Sequence, residues 1–155
     1  MAGRVFEQLP VGLVIEHPIR PTISQRENLA FCDLTHNAQP LHRDEQWAAA
    51  HSPFGRVVVN GLLTMAMAVG VSVPQTTEGT LIANLGYDEV RHGAPVYPGD
   101  TIAVRSEVLS ARRTSTPDRG LVVLRTVVTN QSGVEVCTFT RTMLVRVEHP
   151  SEVSP

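Results

Sequence analysis

The sequence has 155 residues, of which 42% are hydrophobic and 18% charged, with a net charge of −2. This length predicts one domain with a core that needs no disulfide or metal. The absence of a basic block excludes an electrostatic nucleic-acid binder. No apolar run is long enough to cross a membrane, and the N-terminus lacks the apolar core of a secretory signal. We therefore expect a cytoplasmic protein in which Cys32 and Cys137 stay reduced.

The first third of the chain predicts one strand and two helices. Residues 11–16 are rich in branched side chains, which favours a strand. Ser24 and Glu27 form the S-x-x-E pattern of a capping box, so a helix starts there and ends near residue 34. A loop over residues 35–41 separates it from a second helix over residues 44–50.

Residues 61–73, GLLTMAMAVGVSV, are uncharged and apolar on nearly every side. This segment is too short to span a membrane and too apolar for a surface helix. Leucine, methionine and alanine favour a helix over a strand. The pattern therefore predicts a buried central helix.

Four strands are predicted after Pro74, over residues 81–90, 101–113, 121–130 and 134–147, in a meander. In the last of them the inward side chains are Cys137, Phe139, Met143, Val145 and Val147, interrupted by Arg141, and the outward ones are Thr138, Thr140 and Thr142. This alternation predicts an antiparallel sheet with one face in solvent. A sheet wrapped around one apolar helix is the hot-dog arrangement, an α+β fold. We expect a single domain over residues 1–147 and a flexible tail over residues 148–155.

The segment LTHNAQPLHRD, residues 34–44, carries the first functional motif. Its Pro-Leu-His ending, residues 40–42, resembles the end of the signature of MaoC-like (R)-specific enoyl-CoA hydratases. Asn37 stands where that signature has a catalytic aspartate, His36 where it has glycine, and Gln39 where it has asparagine.

Other segments extend the resemblance over most of the chain. VRHGAPVYPGD, residues 90–100, resembles a turn of the same family that joins two strands. With the segments 84–101, 106–122 and 139–145, the chain is similar to the branch typified by mesaconyl-CoA and itaconyl-CoA hydratases. In that branch an asparagine before the motif histidine is usual, so Asn37 is a subfamily trait. The resemblance implies reversible hydration of a short, branched or dicarboxylic 2-enoyl-CoA thioester, no cofactor, and a homodimer or assembly of dimers.

Hydration of an enoyl thioester needs an activated water, a proton for Cα and a donor for the enolate oxygen. The resemblance implies that His42 is both base and acid, since imidazole titrates near ~6.5. Asn37 would position the water through its amide. The N–H of Gly61, which follows Asn60 at the start of the central helix, would stabilise the oxyanion.

Weaker candidates surround these residues. Pro40 and Asn60 are candidate substrate contacts, and Arg56 is a candidate ligand for an acyl carboxylate. All 13 basic residues are arginine, so CoA phosphates would meet Arg91, Arg112 or Arg113 unless these only form a solvated strand face. Alternative carboxylates for the missing aspartate are Asp33 and Asp44.

Other functions stay open at this point. A hot-dog thioesterase typically has a carboxylate on or beside the central helix, and residues 61–73 contain none. Without the usual aspartate, the protein could instead be a non-catalytic acyl-CoA-binding protein. A metal site at His36, His42 and Asp44 matches no strong ligand spacing. The remaining histidines, His17, His51, His92 and His149, are predicted to lie on the surface.

Overall fold

The computed structural model describes residues 3–148. A short 3-10 turn, Phe6–Gln8, precedes the helices α1 (Gln25–Leu34), α2 (Pro40–Arg43), α3 (Glu45–His51) and α4 (Gly61–Thr76). The strands are β1 (Val14–Glu16), β2 (Leu81–Arg91), β3 (Ala103–Arg113), β4 (Arg119–Thr129) and β5 (Glu135–Arg146). Most of the predicted tail, together with His149, lies outside the described residues.

The five strands form one antiparallel sheet in the order β1-β3-β4-β5-β2. The prediction of a four-strand meander was therefore wrong, because β2 pairs with β5 at the edge opposite β1. The link to β3, residues 92–102, contacts the segment that leads into α4, where the Val59 N–H donates to the Val96 carbonyl at 2.8 Å. Because β5 and β4 lie between β2 and β3, this link spans three strand spacings of about 4.8 Å each, or about 14 Å.

The capping box of α1 is confirmed. The Glu27 N–H donates to Ser24 Oγ at 3.2 Å, and the Ser24 N–H donates to the Glu27 carboxylate at 2.8 Å. The predicted loop after α1 is shorter than expected, because Pro40 opens the one-turn helix α2, a position that proline favours. Asp44 then caps α3 by accepting from the Trp47 N–H at 2.9 Å.

Helix α4 starts at Gly61 as predicted but continues through Pro74 to Thr76. Proline removes only the one N–H that would have met the Gly70 carbonyl. The last turn keeps other bonds: Thr76 Oγ1 donates to the Ser72 carbonyl, and the Arg4 N–H donates to the Thr76 carbonyl, both at 2.7 Å.

One face of α4 packs on the sheet, where Leu63, Met65, Ala68 and Val71 meet the core side chains of β3 to β5. The opposite face carries Leu62, which is 60% exposed, and Ala66. The prediction of a fully buried helix was therefore wrong for this face. The helix lies over the sheet, but no other element covers it there within residues 3–148.

The predicted inward face of β5 is confirmed, including Arg141, which is 4% exposed. The threonine face, predicted to be in solvent, is half-buried or buried because β5 lies between β4 and β2. His17, predicted on the surface, is only 3% exposed. It follows β1 into the interior, where its ring bonds to Gln75 at 3.1 Å and Ser106 at 3.0 Å. None of the helices within residues 3–148 is long and apolar enough to cross a membrane, and the cytoplasmic location stays a prediction.

Candidate active site

A cavity of about 380 Å³ opens at the N-terminal end of α4. It brings together two of the predicted site residues, His42 and Gly61. The rest of its wall comes from the end of the 54–59 segment, from α4, from the link after β2 and from β5: Phe54, Val58, Val59, Thr64, His92, Gly93, Ala94, Pro95, Val96 and Val136. An imidazole and a helix N-terminus therefore share one largely apolar cavity.

The orientation of the His42 ring follows from one hydrogen bond. Its Nδ1 lies 2.7 Å from the Val58 carbonyl oxygen. A carbonyl oxygen only accepts, so Nδ1 carries the proton and donates. In the neutral ring Nε2 is then an acceptor, which is the state that a general base needs.

A buried asparagine holds His42 in place relative to α4. Asn28 is fully buried in α1, and its Nδ2 donates to the His42 carbonyl at 2.9 Å. Its Oδ1 accepts from the Asn60 N–H at 2.9 Å. Asn28 was not among the predicted site residues, because its bonds to His42 and Asn60 depend on the packing of α1 against α2 and the start of α4.

The start of α4 leaves an N–H group available. Asn60 caps the helix by accepting from the Leu62 N–H at 3.0 Å. The Gly61 N–H has no backbone or side-chain partner within residues 3–148. A Cβ at Gly61 would lie 2.7 Å from Cε1 of His92, so glycine lets this ring pack against the helix start. His92 is exposed as predicted, yet its ring also lines the cavity.

Asn37 is not among the residues that line this cavity. It lines a neighbouring depression of about 350 Å³ together with His36 and Arg43. Asn37 Oδ1 accepts from the Gln39 N–H at 2.9 Å, so the amide nitrogen is the group left to contact water. His36 has a φ of 54°, the left-handed region that favours glycine, which is the residue the resembled signature has here.

The two alternative carboxylates both have partners within the fold. Asp33 lines the same depression as Asn37, where its Oδ1 lies 2.7 Å from the Arg43 guanidinium. Asp44 caps α3 through the bond to Trp47. Neither lines the cavity with His42. No group of three or more His, Cys, Asp or Glu side chains that could hold a metal occurs within residues 3–148.

The predicted arginine ligands lie outside the cavity lining. The Arg56 guanidinium sits 3.4 Å above the Tyr97 ring, on an exposed loop. Arg91 ends β2 and is exposed, as is Arg112 on β3. Arg113 bonds to Glu7 at 2.6 Å. Pro40 opens α2 and sets the backbone turn that leads to His42.

Residues 7–131 match the family described as the MaoC like domain. The chain belongs to this MaoC-like family. It is 31% identical to a mesaconyl-CoA hydratase of Cereibacter sphaeroides over 154 residues, covering 99% of this chain and 44% of that protein. It is 30% identical to a β-methylmalyl-CoA dehydratase of Chloroflexus aurantiacus, covering 99% of this chain and 43% of the relative.

A Mycobacterium tuberculosis protein described as having a double hotdog fold superposes with a TM-score of 0.85 at 25% identity. The superposition covers 99% of this chain and 46% of that one. The hot-dog fold predicted from the sequence is thereby confirmed. This MaoC-like chain spans less than half the length of each of these three proteins.

Proposed function

We propose that this MaoC-like chain catalyses the reversible hydration of a short, branched or dicarboxylic 2-enoyl-CoA thioester. The observation that carries the proposal is the shared cavity of His42 and Gly61. One is a half-buried imidazole oriented by the Val58 carbonyl, and the other supplies a backbone N–H at a helix N-terminus. The names of the two hydratase and dehydratase relatives support the choice of a branched, dicarboxylic acyl group.

The proposed reaction starts with the thioester carbonyl oxygen accepting from the Gly61 N–H. This bond and the dipole of α4 stabilise negative charge on that oxygen as it develops. His42 Nε2 takes a proton from water, and the hydroxide adds to Cβ. The electron pair of the Cα–Cβ double bond then forms the enolate double bond to the carbonyl carbon, and the C=O pair moves onto the oxygen. The protonated His42 then delivers its proton to Cα, so one histidine both accepts and returns the proton.

Asn37 is proposed to act from the neighbouring depression. Its Oδ1 is held by the Gln39 N–H, so its amide N–H groups are the donors available to the attacking water. An amide has no basic role near neutral pH, which leaves His42 as the ionisable catalyst. The proposal therefore requires that the cavity lined by His42 and the depression lined by Asn37 form one continuous site when substrate is bound.

The assembly that we propose is a homodimer, formed through the exposed face of α4. An apolar depression of about 430 Å³ lies there, lined by Phe31, Leu62, Met65, Ala66, Val69 and Tyr87. The adjacent strand β2 is a sheet edge and exposes Leu85 by 54%. Open sheet edges and apolar patches of this kind are typical of protein–protein contacts. Two copies of this chain would together be close in length to one of the relatives.

Sedimentation tests this assembly. It should give a dimer for the wild type and a monomer for Leu62→Glu, whereas a monomeric wild type would contradict the proposed dimer.

A substrate panel tests the proposed activity. Crotonyl-, mesaconyl- and itaconyl-CoA are incubated with the protein while the absorbance of the conjugated thioester is followed, and a thiol reagent reports free CoA. We expect the enoyl absorbance of a carboxylated substrate to fall without release of thiol. Thiol release would instead indicate a thioesterase, and tight binding without any turnover would indicate an acyl-CoA-binding protein. Either of these results would contradict the proposed function.

A further inference from the structure

The side chain of Thr64 carries a buried hydroxyl group that lacks a partner in the part of the chain that the structure describes. Thr64 lies one turn after Gly61 on α4 and is 1% exposed. Its Oγ1 forms no hydrogen bond within residues 3–148. Two other hydroxyls of the same helix are paired, since Ser72 Oγ donates to the Val69 carbonyl and Thr76 Oγ1 to the Ser72 carbonyl, each at 2.7 Å. An unpaired buried hydroxyl is costly, so it calls for a functional explanation.

The surroundings of Thr64 indicate what this hydroxyl is for. Thr64 lines the same cavity as His42 and Gly61. Apart from the two imidazoles, the other side chains of the lining are apolar. His42 is half-buried and His92 is exposed, whereas Thr64 is buried, so Thr64 belongs to the inner part of the cavity wall. With the thioester carbonyl at Gly61, the inner part is where the acyl chain would lie.

We propose that the Thr64 hydroxyl donates a hydrogen bond to a carboxylate carried by the acyl chain. The inference rests on the proposed function and names the group that selects its substrate. Thr64 lies in the first turns of α4, where the helix dipole favours a negative charge. The dipole therefore offsets part of the cost of placing a carboxylate in a cavity that no arginine lines.

Selection follows from the unpaired state of this hydroxyl. An acyl chain with a carboxylate satisfies it, whereas an unsubstituted chain such as crotonyl leaves it buried and unpaired. A site that hydrogen-bonds a polar group discriminates strongly against an analogue that lacks the group. Thr64 would thus favour carboxylated acyl groups without contributing to the chemistry at the double bond.

Thr64→Val tests the inference because valine has nearly the same shape and lacks the hydroxyl. We expect kcat/KM for mesaconyl-CoA to fall by about 10-fold or more, while kcat/KM for crotonyl-CoA stays constant or rises. Thr64→Ser, which keeps a hydroxyl, is the matched control and should retain most of the preference. An equal fall for both substrates would show a structural or catalytic role and overturn the inference, as would no change for either.

A binding measurement separates this inference from the proposed activity. The saturated thioesters methylsuccinyl-CoA and butyryl-CoA do not react, and calorimetry gives the affinity of each. Thr64→Val should weaken the binding of methylsuccinyl-CoA relative to butyryl-CoA by a similar factor. If the wild type hydrates no thioester but this shift occurs, the proposed function fails and the role of Thr64 stands. If the affinity ratio is unchanged, the role of Thr64 is overturned whatever the activity.

Discussion

Gly61→Ala is expected to lower activity while changing stability little. An added Cβ would lie 2.7 Å from Cε1 of His92 and 3.0 Å from both of its ring nitrogens. Carbon atoms pack at about 3.5–4.0 Å, so the ring has to retreat by about 1 Å. The methyl group would also stand beside the N–H that is proposed to bind the thioester carbonyl. If the methyl group displaces the bound thioester carbonyl by a similar distance, the rate falls by about 10²-fold, which is the fall in kcat/KM that we expect.

Stability should change by less than the about 0.5–1 kcal/mol by which alanine exceeds glycine inside a helix, because Gly61 is the first residue of α4 and its added Cβ displaces the His92 ring. Gly70→Ala on the same helix is the matched control, since an added Cβ there meets nothing within 4 Å. Urea denaturation and kcat/KM on mesaconyl-CoA measure the two effects for each variant. We expect Gly70→Ala to gain stability and keep its activity. A fully active Gly61→Ala variant would refute the assignment of the helix start as the carbonyl site.

Three further predictions concern stability. His36→Gly should raise the free energy of unfolding by about 1 kcal/mol, since it relieves a left-handed φ of 54°; an unchanged urea midpoint would contradict this. Burial lowers the pKa of His17, so the fold favours the neutral ring, and stability should be full above pH ~6.5 and fall as the pH drops. In melting curves taken from pH 7 to 5, the Tm of His17→Gln should therefore fall less than the Tm of the wild type. An equal fall in Tm for both proteins would contradict this prediction. Arg141 is buried, its Nε has no partner among residues 3–148, and burial lowers its pKa, so Arg141→Leu should raise Tm. A marked fall in Tm would show that the guanidinium is stabilising.

Local signals in the sequence were sufficient for most of the elements. The capping box at Ser24 fixed the start of α1, and the uncharged segment after Asn60 indicated α4. The alternation in β5 correctly placed Arg141 among inward-facing residues. Each of these signals depends on neighbours within a few positions along the chain.

The order of the strands was not predictable in the same way. Composition and the flanking turns identify β2 as a strand but do not specify its neighbour, and the link over residues 92–102 is long enough to reach either edge. The extension of α4 past Pro74 depends on bonds from Arg4, which is distant in sequence.

The sequence motif predicted which residues would form the site, but it did not predict the residues that support them. His42 and Gly61 share a cavity, as the resemblance implied, whereas Asn37 lines the neighbouring depression. Asn28 and Thr64 belong to no motif, and their importance comes from burial and from contacts across the fold. Such contacts become visible only when α1, α2 and α4 are packed together.

The central claim is that His42 moves the proton in hydration, and the most direct test is the kcat of His42→Gln on mesaconyl-CoA. His51→Gln is the matched control, because the His51 ring also bonds to a backbone carbonyl, that of Trp47 at 3.0 Å, but lies outside the cavity. We predict that kcat falls by at least about 10²-fold for His42→Gln and stays at the wild-type value for His51→Gln. Wild-type kcat in the His42→Gln variant would contradict the account.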